Sequence, residues 1–122
     1  MNILIVDDEQ EIRDVFRLVL ETRGHYVLEA SNGEEALCLL KKMKIHLVVT
    51  DLIMPIMDGF SLVRKLAMHY PLTRVMVVSS DISPLEDIAW LRMVDNFLGY
   101  DKIAKPTVLH KFVNKVERLL AA

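Results

Sequence analysis

The chain has a single cysteine, Cys38, among its 122 residues. No disulfide can form within it, and a reduced cytoplasmic setting is the expected one. It has little net charge, −2 at pH 7, so nothing draws it generally to nucleic acid or to a membrane surface. It lacks an apolar run long enough to cross a bilayer, and no basic segment precedes an apolar one at its start. Membrane insertion and a signal peptide are therefore not expected. There is no P-loop and no G-x-G-x-x-G, so nucleotide binding has no motif to support it. The histidines His25, His46, His69 and His110 lack the spacing of zinc ligands.

What is present is a chain with 52% hydrophobic residues, too apolar to remain disordered and long enough for one domain, 1–122, with a sizeable core. Strand and helix patterns alternate along it. The apolar, mostly β-branched run Ile3-Leu4-Ile5-Val6 predicts a first strand over about 2–7. A helix follows with Ile12, Val15, Phe16, Val19 and Leu20 on one face, ended by Gly24. Tyr26-Val27-Leu28 reads as a second strand. Asn32-Gly33-Glu34-Glu35 reads as a helix start, with Asn32 as cap and Glu35 reaching back. That helix carries Ala36, Leu37 and Leu40 inward and ends in the basic residues Lys41, Lys42 and Lys44, which suit a solvated helix C-terminus.

A third strand is expected over about 46–51. Asp58-Gly59 then opens a helix burying Leu62, Val63, Leu66 and Ala67. Val75 to Val78 form a fourth strand, and Ser83-Pro84-Leu85-Glu86 starts a fourth helix running to about 95. A fifth strand is placed near Lys102-Ile103-Ala104. The last helix turns Leu109, Phe112, Val113, Val116 and Leu120 inward. Five βα units predict an α/β domain, a parallel sheet with helices on both faces.

The acids stand out against this frame. Asp7 and Asp8 close the first strand and Asp51 closes the third. In a parallel sheet both strands deliver their carboxyl ends to the same edge, where ligands bind. Carboxylates crowded there repel one another unless a cation joins them, and hard oxygen ligands suit Mg²⁺, which commonly meets a phosphate. Asp51 is the candidate nucleophile, since a carboxylate can take a phosphoryl group as an acyl phosphate. Ser79 ends the fourth strand on that edge and could donate its hydroxyl to a phosphoryl oxygen. Lys105 follows the fifth strand and could supply a positive charge. Lys105-Pro106 is a candidate cis peptide. Each residue alone has an ordinary explanation: an Asp after a strand is often a helix cap, a Ser there a turn residue, a Lys-Pro pair a loop. Together they end four of the five predicted strands.

The residues Val6-Asp7-Asp8-Glu9, Asp51-Leu52-Ile53-Met54-Pro55-Ile56-Met57-Asp58-Gly59, Ser79 and Lys105-Pro106 resemble, over essentially the whole chain, the response-regulator receiver domain of two-component phosphorelay signalling. The resemblance implies a flavodoxin-like sheet of order 2-1-3-4-5, and a member of this family is a standard illustration of that order. It also implies that Asp51 accepts phosphate from a histidine kinase or a histidine phosphotransfer protein. Mg²⁺ would be held by Asp8 directly, by Asp7 mainly through water, by Asp51 and by the main-chain carbonyl of Ile53. Ser79 and Lys105 match the switch hydroxyl and the phosphate-contacting lysine. Such a domain catalyses at most its own phosphorylation and dephosphorylation.

The chain departs from the family at Lys102, where an aromatic residue usually stands; Tyr100 lies two positions earlier. Serine replaces the commoner threonine at Ser79, and the stretch from Ser79 to Lys105 is about one helical turn longer than usual. A rival function is an interaction module of receiver shape that is not regulated by phosphorylation, which Lys102 keeps open. A phosphohydrolase of the haloacid-dehalogenase type would need an acid two residues after Asp51, where Ile53 stands.

The predicted fourth helix carries Leu85, Ile88 and Ala89 on one side and Trp90, Met93, Val94 and Phe97 on another. The second set either packs under the lengthened connection or forms a contact patch for a downstream protein or a second copy. In the latter case the region of the fourth helix, fifth strand and fifth helix is the output surface. Because the chain ends at Ala122, just after the last predicted helix, it is expected to act either as a stand-alone receiver or as part of a larger regulator.

Overall fold

A computed structural model describes residues 1–51, 56, 57, 59–78, 97–101, 114, 116 and 117. The apolar runs become strands: β1 Asn2–Val6, β2 Tyr26–Ala30, β3 Leu47–Thr50 and β4 Arg74–Val78, joined by β5 Phe97–Asp101. Helices α1 Gln10–Glu21, α2 Gly33–Lys42 and α3 Gly59–His69 lie between them in sequence. All pairings are parallel, in the order β2-β1-β3-β4-β5, as the resemblance implied.

The pleat explains why the strand sequences are apolar at every position. Successive side chains point to opposite faces, and both faces are covered. Leu4, Val6, Val48, Val75 and Val77 pack with Ala36, Leu40, Leu62, Val63 and Leu66 of α2 and α3. Ile3, Ile5, Leu47, Val49 and Met76 pack with Ile12, Phe16 and Leu20 of α1 and with Val116. Each such side chain contributes about 1.5–3 kcal/mol through burial, so the central strands are anchored from both sides. Of the residues expected to face inward on the last helix, Val116 does so, and it lies in a helical segment with Asn114 and Glu117.

The helix ends follow from local chemistry. Gly24 closes α1 at φ +87, with nothing within 4 Å of where a β-carbon would stand, so backbone conformation rather than space calls for glycine. At α2, Asn32 Oδ1 accepts the Glu35 N–H at 3.0 Å. Glu35 reaches back as expected, but to the N–H of Ser31 at 2.8 Å, one residue beyond the cap. That bond is the first cause of a Glu35 pKa held below the usual carboxylate value, followed by the Ser31 side chain.

β5 corrects one expectation. It occupies Phe97–Asp101, earlier than the strand placed at 102–104, and Phe97, assigned above to the fourth helix, opens it. The segment Phe97-Leu98-Gly99-Tyr100 offers two aromatic residues and a leucine to the edge of β4, whereas Lys102-Ile103-Ala104 offers a single β-branched residue. Val75 pairs with Phe97 and Met76 with Gly99, so Leu98 is the extra residue of an irregularity in the register. The predicted fourth helix with Trp90, the residues Lys102, Ile103 and Ala104, and Leu109, Phe112, Val113 and Leu120 lie outside the described residues. No helix among the described residues is long and apolar enough to cross a membrane.

Candidate functional site

The strand ends carry their acids to one place. The Asp51 N–H donates to the Val6 carbonyl at 3.1 Å and the Asp7 N–H donates to the Ala30 carbonyl at 3.1 Å. Each bond extends the parallel ladder by one step past the last strand residue. Asp7 and Asp51 are thereby fixed relative to β1, the strand flanked by both β2 and β3. The Thr50 hydroxyl, on a buried side chain, donates to the Asp51 carbonyl at 2.8 Å and holds the turn out of β3.

Oxygen atoms of Asp7, Asp8 and Asp51 all lie within 4.8 Å of one another. Asp7 is buried, Asp51 half-buried and Asp8 exposed, so the cluster runs from the protein interior to solvent. Asp8 is not the helix cap that a lone Asp before a helix could be. The N-cap of α1 is Glu9, whose side chain makes no cap bond, and the Glu9 N–H donates to Asp7 Oδ1 at 3.0 Å. Three carboxylates at this spacing repel and present only hard oxygen donors. That donor set fits Mg²⁺, which takes one or two carboxylates, keeps waters and meets phosphate oxygens. It does not fit a soft transition metal, which would draw on thiolate or imidazole.

The segment leaving Asp51 is tied to the neighbouring helix. Gly33, the first residue of α2, donates its N–H to the Met57 carbonyl at 3.1 Å. Ile56, just before it, has φ 69 and is 74% exposed. A β-branched residue in the left-handed region is a true outlier. The chain therefore accepts strain to bring Met57 onto α2.

Behind the acids lies a charged network on α1 and β2. The Arg13 Nη1 donates to the Asp7 carbonyl, its Nη2 to Gln10 Oε1, and its Nε to Glu29 Oε1 at 3.2 Å. Glu29 Oε2 also pairs with Arg17 Nη1 at 2.6 Å. Periodicity did not single out Arg13, because arginine is scored as polar and surface-facing. The available signal was its place: a cation among the first four residues of a helix opposes the macrodipole.

A crevice of about 530 Å³ opens elsewhere, lined by Met1, Leu40, His46, Tyr70 and Leu72 among others. It holds none of the acids. Of the sequence-predicted site residues, Asp7, Asp8 and Asp51 are brought together, while Ile53, Ser79 and Lys105 lie outside the described residues.

Comparison with known proteins bears on the family and the fold. Residues 3–117 match the family model of the response regulator receiver domain. The response regulator RR06 of Streptococcus pneumoniae is 30% identical over 120 residues, covering 98% of this chain and 53% of its own length. The chain spans 53%, 40% and 50% of the length of three curated relatives, and less of others. Among solved structures, a receiver domain protein from Methanospirillum hungatei superposes with a TM-score of 0.86 at 27% identity, covering 98% of this chain and 93% of its own. The chemotaxis response regulator CheY4 of Vibrio cholerae gives a TM-score of 0.83 at 27% identity, with 97% of each chain covered.

Proposed function

Because the chain belongs to the response-regulator receiver family, we propose that residues 1–122 act as one receiver whose phosphoacceptor is Asp51. The supporting observation is the convergence of Asp7, Asp8 and Asp51 within 4.8 Å at the carboxyl edge of the sheet, with Asp51 partly open to solvent. The donor is a phosphohistidine of a histidine kinase or a histidine phosphotransfer protein. A carboxylate oxygen of Asp51 attacks phosphorus, the P–O bond forms, the P–N bond of the donor breaks, and the imidazole leaves and takes a proton.

Asp7, Asp8, Asp51 and the main-chain carbonyl of Ile53 are the groups that would hold Mg²⁺. When bound, the ion supplies neutralising charge for the phosphoryl oxygens. Asp7 is fixed for that task by its backbone bond to Ala30 and by the Glu9 N–H on its carboxylate. Ser79 donates a hydroxyl and Lys105 an ammonium to the phosphoryl oxygens after transfer. The chain's own chemistry is confined to gaining and losing that group. Its output is a change in protein contacts, with a downstream protein or a second copy, through β5 and the segments that the sequence predicts as the fourth and last helices. Signalling of this kind places it in the cytoplasm.

The test is incubation with acetyl phosphate and Mg²⁺, read by intact mass. One phosphoryl group adds to the wild type and none to Asp51→Asn. Equal labelling of the Asn variant moves the phosphoacceptor elsewhere.

A further inference from the structure

Asp7 and Asp8 ride on a connection of three residues between β1 and α1. The Asp7 N–H is spent on Ala30, and the Glu9 N–H rests on the Asp7 carboxylate. The Asp7 carbonyl takes the Arg13 guanidinium in a buried contact. We propose that Arg13 is a positioning residue: its guanidinium, clamped between the Asp7 carbonyl, Gln10 and Glu29, sets the β1–α1 connection at the spacing at which Asp7 and Asp8 bind a divalent cation beside Asp51. This rests on the phosphoacceptor role of Asp51 proposed above.

Each arginine nitrogen type has a separate task. Nε meets Glu29 on β2, Nη1 meets the loop carbonyl, and Nη2 meets Gln10 on the first turn of α1. Strand, loop and helix are joined by one planar group, which a lysine cannot imitate with a single ammonium. The arginine side chain is 11% exposed and that of Glu29 18%, so the pair is screened little by solvent. Glu29 balances the charge. Gln10 Nε2 at 3.2 Å and Arg17 Nη1 at 2.6 Å hold Glu29 in turn. The clamp therefore acts on the acids through the backbone of Asp7, not by pairing with their carboxylates. Mg²⁺ is strict about ligand geometry, so a small drift of this connection registers as lost cation affinity. Partners standing behind metal ligands are commonly worth 10–100-fold in affinity.

The experiment is a Mg²⁺ titration of the full chain followed by backbone amide shifts, with amide exchange at Glu9 and melting measured on the Mg²⁺-free protein. Arg13→Ala weakens Mg²⁺ binding at least about tenfold and speeds exchange of the Glu9 amide before any Mg²⁺ is added. Arg13→Lys falls between it and the wild type. Arg23→Ala breaks an ion pair to Glu117, outside the clamp and the acid cluster, and it leaves Mg²⁺ affinity unchanged. An Arg13→Ala protein that melts lower yet binds Mg²⁺ as the wild type does would make the arginine merely structural and overturn the proposal. If Arg13→Ala does not fold, Arg13→Lys carries the test, and wild-type affinity in that variant overturns it equally. A wild type that binds no Mg²⁺ removes the phosphoacceptor reading together with this one, whereas unchanged affinity confined to the Arg13 variants removes this one alone.

Discussion

Gly33 and Met57 meet more closely than any larger residue at position 33 would allow. The Gly33 N–H donates to the Met57 carbonyl at 3.1 Å. A β-carbon on Gly33 would stand 2.6 Å from Met57 Cγ, 2.7 Å from Sδ and 2.9 Å from Cβ. The start of α2 and the loop that follows β3 are thus docked backbone to backbone. An Asn-Gly pair before a helix reads from sequence as a cap, and Asn32 is one. The glycine has the second task of admitting a neighbouring loop.

Gly33→Ala is accordingly destabilising, although alanine is the better helix former by about 1 kcal/mol. The nearest atoms include Met57 Cβ, which cannot swing aside without its backbone, and overpacking of this kind costs about 1–3 kcal/mol. A double-mutant cycle in urea isolates the contact. In a Met57→Ala background, which removes Cγ and Sδ, the cost of Gly33→Ala falls. An equal cost in both backgrounds would show that the penalty arises elsewhere.

The acid cluster gives a second expectation. Mg²⁺ that binds only the folded chain stabilises it by RT ln(1 + [Mg²⁺]/Kd), about 2.7 kcal/mol at a hundredfold excess over Kd. Asp8→Ala loses that increment and, by removing one of three mutually repelling carboxylates, melts higher than the wild type when Mg²⁺ is absent. Thermal melts with and without Mg²⁺ decide it. A variant that keeps the full Mg²⁺-dependent shift has no ligand at position 8.

Much of this was legible because strand and site share a signature. A continuous apolar run marks a strand buried on both faces, and the first acid after it marks the edge where ligands bind. Asp7, Asp8 and Asp51 were found that way and do converge. β5 was misplaced because Phe97-Leu98-Gly99-Tyr100-Asp101 has neither a β-branched run nor strict alternation. Pairing with β4, including the irregularity at Leu98, decides its position, and pairing is not local information. Arg13 escaped for a related reason. A buried arginine is defined by its partners, and Asp7 and Glu29 come to it only once β1 and β2 lie side by side.

Glu35 carries a pH dependence whose sign follows from its bonds. Its carboxylate accepts from the Ser31 N–H, which holds its pKa below the usual value. A depressed pKa means that the folded state favours the charged form. The contribution is complete above the ordinary glutamate pKa and is lost as pH falls through the lowered folded value. Glu35→Gln keeps an acceptor for Ser31 but has no such titration. Stability measured from neutral pH into the acid range therefore falls less steeply in the variant, and the difference is small because Glu35 is exposed. Parallel curves for the two proteins would assign the cap no electrostatic part.

Ile56 supplies the last prediction. It sits at φ 69 with 74% of its surface exposed, so its side chain gains little from burial while its backbone bears the left-handed conformation. For a residue with a β-carbon that conformation costs roughly 1–2 kcal/mol, and asparagine is among the residues that tolerate it best. The strain is sustained by what lies on either side: Asp51 is bound to β1 through Val6, and Met57 is bound to α2 through Gly33. Ile56→Asn relieves the strain without disturbing either anchor. Unlike Ile56→Gly, it does not enlarge the freedom of the unfolded chain. The variant is expected to gain about 1 kcal/mol, seen as a higher urea midpoint with an unchanged slope and a melting temperature raised by about 4 °C. A midpoint equal to or below that of the wild type would mean that the isoleucine side chain supports the loop through contacts that outweigh its backbone strain.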